Sequence, residues 1–390
     1  MHFVFTAPRY HTNQHFAAKA LVDAGHRVSF LVLEKGQSET YEAVRPEVLG
    51  ESVASRTFRR MLSGFLGRAV DREYAFPPVL ALWRRLRRLA PDIVIVRGHR
   101  AWYGRLSIWA ARLSGFPIVF YTQNRLHRPI DRFRRFLHTF RARIAGAQWI
   151  TPVLGDPDRY PPAVPLMRYV PFVMEPQTPP ERKAWFAGDA VNVLSIGKYQ
   201  RRKNHHLLLR AVARLSARYP LRATVIGECT TADHRRELAE LKRIRDAEDL
   251  RDRVRIRSNL PYQEVQRELS VHDVFVLASR AEPATVSQLE AMAHSLPIIC
   301  SDANGTKCYV RPGGNGYIVR TDDADDLERR LETVVHDRDR LMRMGARSHA
   351  LVVSEHAPHK YVRTMLALVA SARGRRRTPA AGTSPDGPTQ

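Results

Sequence analysis

The chain has 390 residues, 44% of them hydrophobic and 8% aromatic. That length suggests two domains of roughly 150–200 residues, and the composition excludes a disordered protein. Lys+Arg 63 against Asp+Glu 39 leave a charge of +24, which calls for an anionic partner: membrane, nucleic acid or phosphorylated substrate. Cys229, Cys300 and Cys308 have no paired spacing, which argues against disulfides or a cysteine zinc site. No run approaches the roughly 18 apolar residues of a membrane span. The opening MHFVFTAPRY lacks a signal peptide's basic start and long apolar core, so a cytoplasmic protein is expected.

In chain order, HFVF reads as a buried strand that leads through APRYHTNQ into the helix-like HFAAKALVDAG and a second strand, RVSFLVL. Gly25 stands where a helix C-terminal glycine belongs. PDIVIV (91–96) and PIVFY (117–121) are further strands flanking the helix-like AWYGRLSIWAARLSG. This β–loop–α–β rhythm implies a parallel sheet covered by helices. A proline-rich stretch from Pro152 to Pro180 interrupts it as a connection. The rhythm resumes with VNVLSIG (191–197), a helix over 204–218, RATVIG (222–227), a helix near 232–248, VRIRS (254–258), VFVLAS (274–279) and LPIIC (296–300). The last residues, RGRRRTPAAGTSPDGPTQ, have no apolar period and read as a disordered tail over 373–390.

The strongest chemical signal is SRAEPATVSQLEAMAHSLPIICSD, residues 279–302. It sets Glu282 and Glu290 eight residues apart at the start of a helix that follows a strand. Pro283 suits a first helical turn, where its missing N–H costs nothing. The amides around Ala284, Thr285 and Val286 then face the crevice beyond the strand ends, where a helix N-terminus favours a pyrophosphate. Taken alone, two glutamates on a helix are solvated surface. Their setting is more specific: Ser279, Glu282, Glu290-Ala291-Met292-Ala293 and Pro297-Ile298-Ile299 resemble the retaining glycosyltransferase superfamily of GT-B fold with the Glu-x7-Glu motif (glycosyl transferases group 1, family 4).

The resemblance implies an α/β protein of two Rossmann-like domains whose parallel sheets face a central cleft. An acceptor-binding domain spans 1–175, a nucleotide-sugar donor domain spans 185–350, and a helix over 355–372 packs back on the first. It implies that Glu282 meets donor-sugar hydroxyls and that Glu290 accepts from the ribose, work suited to a carboxylate's two acceptor oxygens. In SIGKYQRRKNHHLLLRAVARL (195–215) the family's Gly-Arg-x4-Lys becomes Gly197, Lys198 and Lys203, with both basic residues expected on the donor phosphates. Lys198 keeps charge but lacks arginine's bidentate fork, so Lys203 carries more of the expectation, and Arg201 and Arg202 read as surface. In SDANGTKCYVRPGGNGYIV (301–319), Asn304, Gly305 and Thr306 are expected either near the donor or as plain turn residues.

The N-terminal half departs from the family. No glycine occupies the first loop, which leaves the side chains of His11, Thr12 or Asn13 to take its part. Where the family often has a histidine after the strand matching PIVFYT, this chain has Gln123-Asn124, and Gln123 cannot take a proton. His99, after VIVRG, is a second candidate in the same cleft. In RLHRPIDRFRRFLHTFRARIAG (125–146), Ile130, Phe133, Leu137, Phe140 and Ile144 form one stripe among arginines. The ordinary reading buries that stripe; the sharper one lays the helix on an anionic membrane. The expected activity is therefore transfer of a sugar from a UDP-, GDP- or ADP-sugar to a lipid-linked or envelope-polysaccharide acceptor, with no cofactor or metal required. Its expected place is the cytoplasm, peripheral at the inner face of the membrane. A nucleotide-sugar epimerase, a phosphorylase and a nucleic-acid-binding protein are the alternatives, the last without any recognisable module.

Overall fold

The computed structural model describes residues 1–10, 14–35, 41–66 and 74–377, the last five by their backbone alone. His11, Thr12, Asn13 and the tail beyond 377 lie outside the described residues.

Seven strands form the first sheet: β1 (His2–Arg9), β2 (Arg27–Glu34), β3 (Glu47–Val48), β4 (Ile93–Arg97), β5 (Ile118–Tyr121), β6 (Ala147–Thr151) and β7 (Met167–Tyr169). Their order is β3-β2-β1-β4-β5-β6-β7, and every pair is parallel. β7 lies inside the proline-rich stretch, so the sheet gains a strand that the prolines concealed. Around it lie α1 (His15–Asp23), α2 (Val53–Leu66), α3 (Val79–Leu89), α4 (Trp102–Leu113) and α5 (Arg132–Ile144).

The second sheet holds β8 (Val191–Ile196), β9 (Leu221–Gly227), β10 (Val254–Ser258), β11 (Val274–Leu277), β12 (Ile298–Ser301) and β13 (Gly316–Val319), ordered β10-β9-β8-β11-β12-β13 and again parallel. Its helices are α6 (His205–Leu215), α7 (Ala232–Ala247), α8 (Tyr262–Val271), α9 (Ser287–Ala293), α10 (Ala324–Val335) and α11 (Arg338–Glu355). A last helix, α12 (Pro358–Arg377), continues five residues into the segment read as tail.

Alternate residues of each central strand serve opposite faces, and both faces are apolar because helices cover both. On one face of the first sheet Val94, Val96, Phe120 and Trp149 pack against Leu82 and Leu86 of α3, Tyr103 and Ala110 of α4 and Ala142 of α5. On the other, Phe3, Phe5, Ile93 and Ile95 meet Ala18 and Leu21 of α1 and Met365, Leu368 and Val369 of α12. The two domains touch at the carboxyl ends of their strands. Tyr309 donates from its hydroxyl to the Pro152 carbonyl at 3.0 Å, and Lys307 pairs with Asp156 at 3.3 Å.

One expectation of the ordinary kind fails. The α5 stripe is not buried: Phe133 is 72% exposed, and Phe140, Ile144 and the adjoining Phe136 are exposed too. The helix instead rests on its small residues, Ala142 with Ala145 just beyond, which lets it lie close to β6 and turns the large rings outward.

Candidate active site

In an open parallel sheet the crevice lies where the strand order reverses, because neighbouring crossovers leave there in opposite directions. In the second sheet that point is between β8 and β11. The loops after these two strands carry Lys203 and Glu282, and the two side chains meet in a buried ion pair. Gly197, at the end of β8, makes room for this. A Cβ on it would stand 3.1 Å from Lys203 Cδ and 3.2 Å from Cε, so the lysine stem crosses over bare backbone. Burial lowers the Lys203 pKa, and the Glu282 charge opposes that shift. The ammonium is thus a cation with little water, placed to meet an anion.

Arg202 comes from the same short turn. Its Nη1 lies 3.0 Å from Glu282 Oε2 and donates to the Ala281 carbonyl at 2.9 Å. The sequence reading left it on the surface; the 3₁₀ turn at Arg201–Lys203 brings it into the site instead. Lys198 points elsewhere, to Glu228 at 3.0 Å. It is a pair on the rim and is not gathered with Lys203 and Glu282.

Glu290 lies on α9 and is buried. Burial pushes its carboxyl up to about 7, while a hydrogen bond from Tyr262 of α8 pulls the other way. Nothing in the spacing of the sequence pointed to Tyr262, which reaches Glu290 from a helix that packs alongside. The helix itself begins at Ser287, so Pro283, Ala284, Thr285 and Val286 form a loop rather than a first turn. The helix thus starts four residues later than expected, and the Thr285 amide faces the Thr306 hydroxyl at 3.5 Å.

This loop is pinned to the one after β12. The Gly305 amide donates to the Glu282 carbonyl at 2.7 Å, and a Cβ on Gly305 would fall 1.8 Å from the Pro283 carbonyl oxygen. Asn304 is enclosed. It donates to Gln288 Oε1 at 2.6 Å and accepts from the Thr306 amide at 3.1 Å and hydroxyl at 2.9 Å. Its side chain and that of Thr306 therefore build the loop that holds Glu282 and are committed to each other rather than open to a ligand.

Across the cleft, His99 is buried between Phe120, stacked at 4.7 Å, and Trp149, edge-on at 4.7 Å. Burial first, then His138, Arg100 and Arg141, bring its pKa to about 4, so the ring is neutral. It is a packed aromatic, and its ring contacts do not include the glutamate–lysine cluster. Gln123 sits half-buried just past β5.

The family described as glycosyl transferases group 1 matches residues 179–350, and glycosyltransferase family 4 matches 15–153. The chain belongs to the GT-B glycosyltransferase superfamily. Among its relatives, a lipopolysaccharide core biosynthesis glycosyltransferase, LpsE, of Rhizobium meliloti is 30% identical over 183 residues, 47% of this chain and 51% of that protein. A D-inositol 3-phosphate glycosyltransferase of Geodermatophilus obscurus is 31% identical over 206 residues, 50% and 44% of the two chains. The chain thus spans about half the length of these curated relatives. The crystal structure of Anabaena Alr3699/HepE in complex with UDP and glucose shares the GT-B fold, with a TM-score of 0.70, 13% identity and coverage of 95% of this chain and 100% of that one. Among the described residues no helix is long and apolar enough to cross a membrane, and no group of three or more His, Cys, Asp or Glu side chains could hold a metal.

Proposed function

We propose that the chain transfers a sugar from a nucleotide diphosphate sugar to an acceptor, with retention of configuration at the anomeric carbon. The observation that carries this reading is the buried Lys203–Glu282 pair at the switch point, with buried Glu290 eight residues further on. When the diphosphate leaves, negative charge grows on its oxygens and positive charge on the sugar carbon. A desolvated Lys203 ammonium, with Arg202 beside it, stabilises the first; fixed charges in a water-poor site do this without reorganising. Glu282, freed from Lys203 as the phosphates take the ammonium, turns to the sugar hydroxyls. Glu290 accepts from the ribose. No protein base is required, because the departing phosphate can take the acceptor's proton on the same face. Lys203 and Arg202 supply the charge that a divalent metal would otherwise bring.

A uridine donor is the first to try, since a GT-B neighbour was solved with UDP. The acceptor is proposed to be lipid-linked or an envelope polysaccharide, reached from the inner face of the cytoplasmic membrane. The name of the lipopolysaccharide-core relative supports that class. So does the outer layer of the first domain. Phe58, Met61 and Phe65 on α2, Trp102, Trp109 and Leu113 on α4, and Phe133, Phe136, Phe140 and Ile144 on α5 are all exposed. Arginines accompany them on each helix with no acidic residue. Exposed rings among cations suit the headgroup boundary of an anionic bilayer, where each basic residue contributes about 1 kcal/mol. Thermal unfolding with UDP-, GDP- and ADP-sugars identifies the donor, since a ligand that binds the native state raises its melting point. Proton NMR of the product then reads the anomeric configuration; inversion of the donor's configuration would overturn the retaining mechanism.

A further inference from the structure

An unassigned hollow of about 1110 Å³ lies in the first domain, where the loops after β4, β5 and β6 meet the start of α5. These are carboxyl-end loops, the side on which an open parallel sheet holds its ligands. Arg100, Arg128, Arg134, Arg135, His138 and Arg141 line it. The acid there, Asp131, is already engaged: it caps α5 through the Arg134 amide at 2.7 Å and pairs with the Arg134 side chain at 3.2 Å. Arg100, Arg128, Arg135 and Arg141 have no ion pair among the described residues.

Arg128 is the informative member. Its Nε is shut off from water and has no hydrogen-bond acceptor among the described residues. A buried donor left unmet is costly, more so on a charged group, and an anion would remove the cost. The neighbours report the same excess of positive charge. Burial, then Arg100 and Arg134, lower the Arg128 pKa; burial, then Arg100, Arg128, Arg141 and Arg134, lower that of His138. Cations crowded around an open hollow repel one another until an anion joins them.

We propose that this hollow is a binding site for a phosphate or diphosphate group, held by Arg128 and Arg141 with Arg100 and Arg135 beside them. Guanidinium forks match phosphate oxygens two at a time, and several of them suit a multiply charged group better than a single carboxylate. The group comes either from the acceptor itself or from an anionic lipid headgroup. The first source rests on the acceptor-domain reading above; the binding itself does not.

Inorganic pyrophosphate is titrated calorimetrically into the full chain saturated with UDP, so that the donor positions are filled. The preceding UDP titration tests the donor reading separately. The parent is expected to bind pyrophosphate, and Arg128→Gln and Arg141→Gln are each expected to weaken it by about ten-fold or more. Arg141 is exposed, so its replacement leaves the fold intact, and Arg141→Lys should lose less than Arg141→Gln. Arg218→Gln, on the far domain, should bind as the parent does. No binding by the UDP-saturated parent, or equal binding by both glutamine variants, overturns the site. Phosphatidylglycerol and phosphatidylcholine vesicles then separate the sources. Pyrophosphate competition and loss of phosphatidylglycerol binding in both variants identify a headgroup; vesicle binding that survives in the variants identifies the acceptor's own phosphate.

Discussion

The two domains share one topology and differ in how they treat charge. In the second, arginines are matched at home: Arg214 with Asp325 and Glu328, Arg218 with Glu332, Arg257 with Glu264 and Glu268. In the first, α2, α3, α4 and α5 carry arginine with no acidic residue of their own, and Arg59, Arg85 and Arg134 pair with Glu51, Glu47 and Asp131 outside these helices. The exposed phenylalanines and tryptophans of the described chain also lie on α2, α4 and α5. A folded domain gains nothing from unmatched cations and wet aromatic rings, since each would be more stable paired or buried. The second domain thus keeps its charges paired within itself, while the first leaves its large rings and several arginines to solvent.

That contrast can be broken by changes of decreasing size. Lys203→Ala should cost most. It removes the main partner of buried Glu282 and leaves only Arg202, so a loss toward the low end of about 3–5 kcal/mol is expected by chemical denaturation. Nucleotide-sugar binding by calorimetry should be lost with it; unchanged affinity would show that the site is elsewhere. Gly305→Ala comes next. The added methyl meets the Pro283 carbonyl, and forcing the loops apart should cost about 1–3 kcal/mol, read as a fall in melting temperature.

Glu290 gives a smaller, pH-dependent effect. Its carboxyl titrates near 7 in the native chain, above the usual carboxylate value, so burial favours the protonated form. Native stability from this group is greatest at low pH and declines as pH rises through 7. Ribose hydroxyls need the ionised form to accept from both, so nucleotide affinity should run the opposite way, rising about ten-fold from pH 6 to pH 8. Titrations at three pH values read it, and Glu290→Gln should flatten the profile. Smallest in stability is the double change Phe133→Ser, Phe140→Ser: both rings are exposed, so unfolding should move by no more than about 0.5 kcal/mol. Sedimentation with anionic vesicles should nevertheless drop, and for the parent it should fall as salt screens the arginines. Vesicle binding equal to the parent's would remove these rings from the membrane face, and no vesicle binding by the parent would remove the membrane from the proposal.

The central strands were legible because β1, β2, β4, β5, β8, β9, β11 and β12 are runs of apolar residues buried on both faces. The two- and three-residue edge strands β3 and β7 were not, being too short for a pattern, nor were β6 (AQWIT), which is broken by polar Gln148 and Thr151, and β13, which opens on an Asn-Gly turn. Within the site, Glu282, Lys203 and Glu290 announced themselves by spacing, but their neighbours did not. Arg202 is one residue from Lys203, and only the 3₁₀ turn decides which side chains go inward. Asn304 and Gly305 look like any turn pair, and Gln288 like any helix residue, until two loops close on each other. The outward rings of α5 misled for a physical reason: periodicity shows that a helix has an apolar stripe, not which stripe faces the sheet, and here two alanines took that place.

The last helix has a consequence for how the chain is made. Met365, Leu368 and Val369 complete the cluster begun by Phe3 and Phe5, and Gln148 donates to the Leu368 carbonyl at 2.7 Å. At about 5–20 residues per second, synthesis delivers α12 roughly 10–40 s after β6 has emerged. Throughout that interval one face of the first sheet has α1 but lacks α12, while the second domain is itself being made. The half that begins the chain thus completes its core only once the end of the chain has been translated.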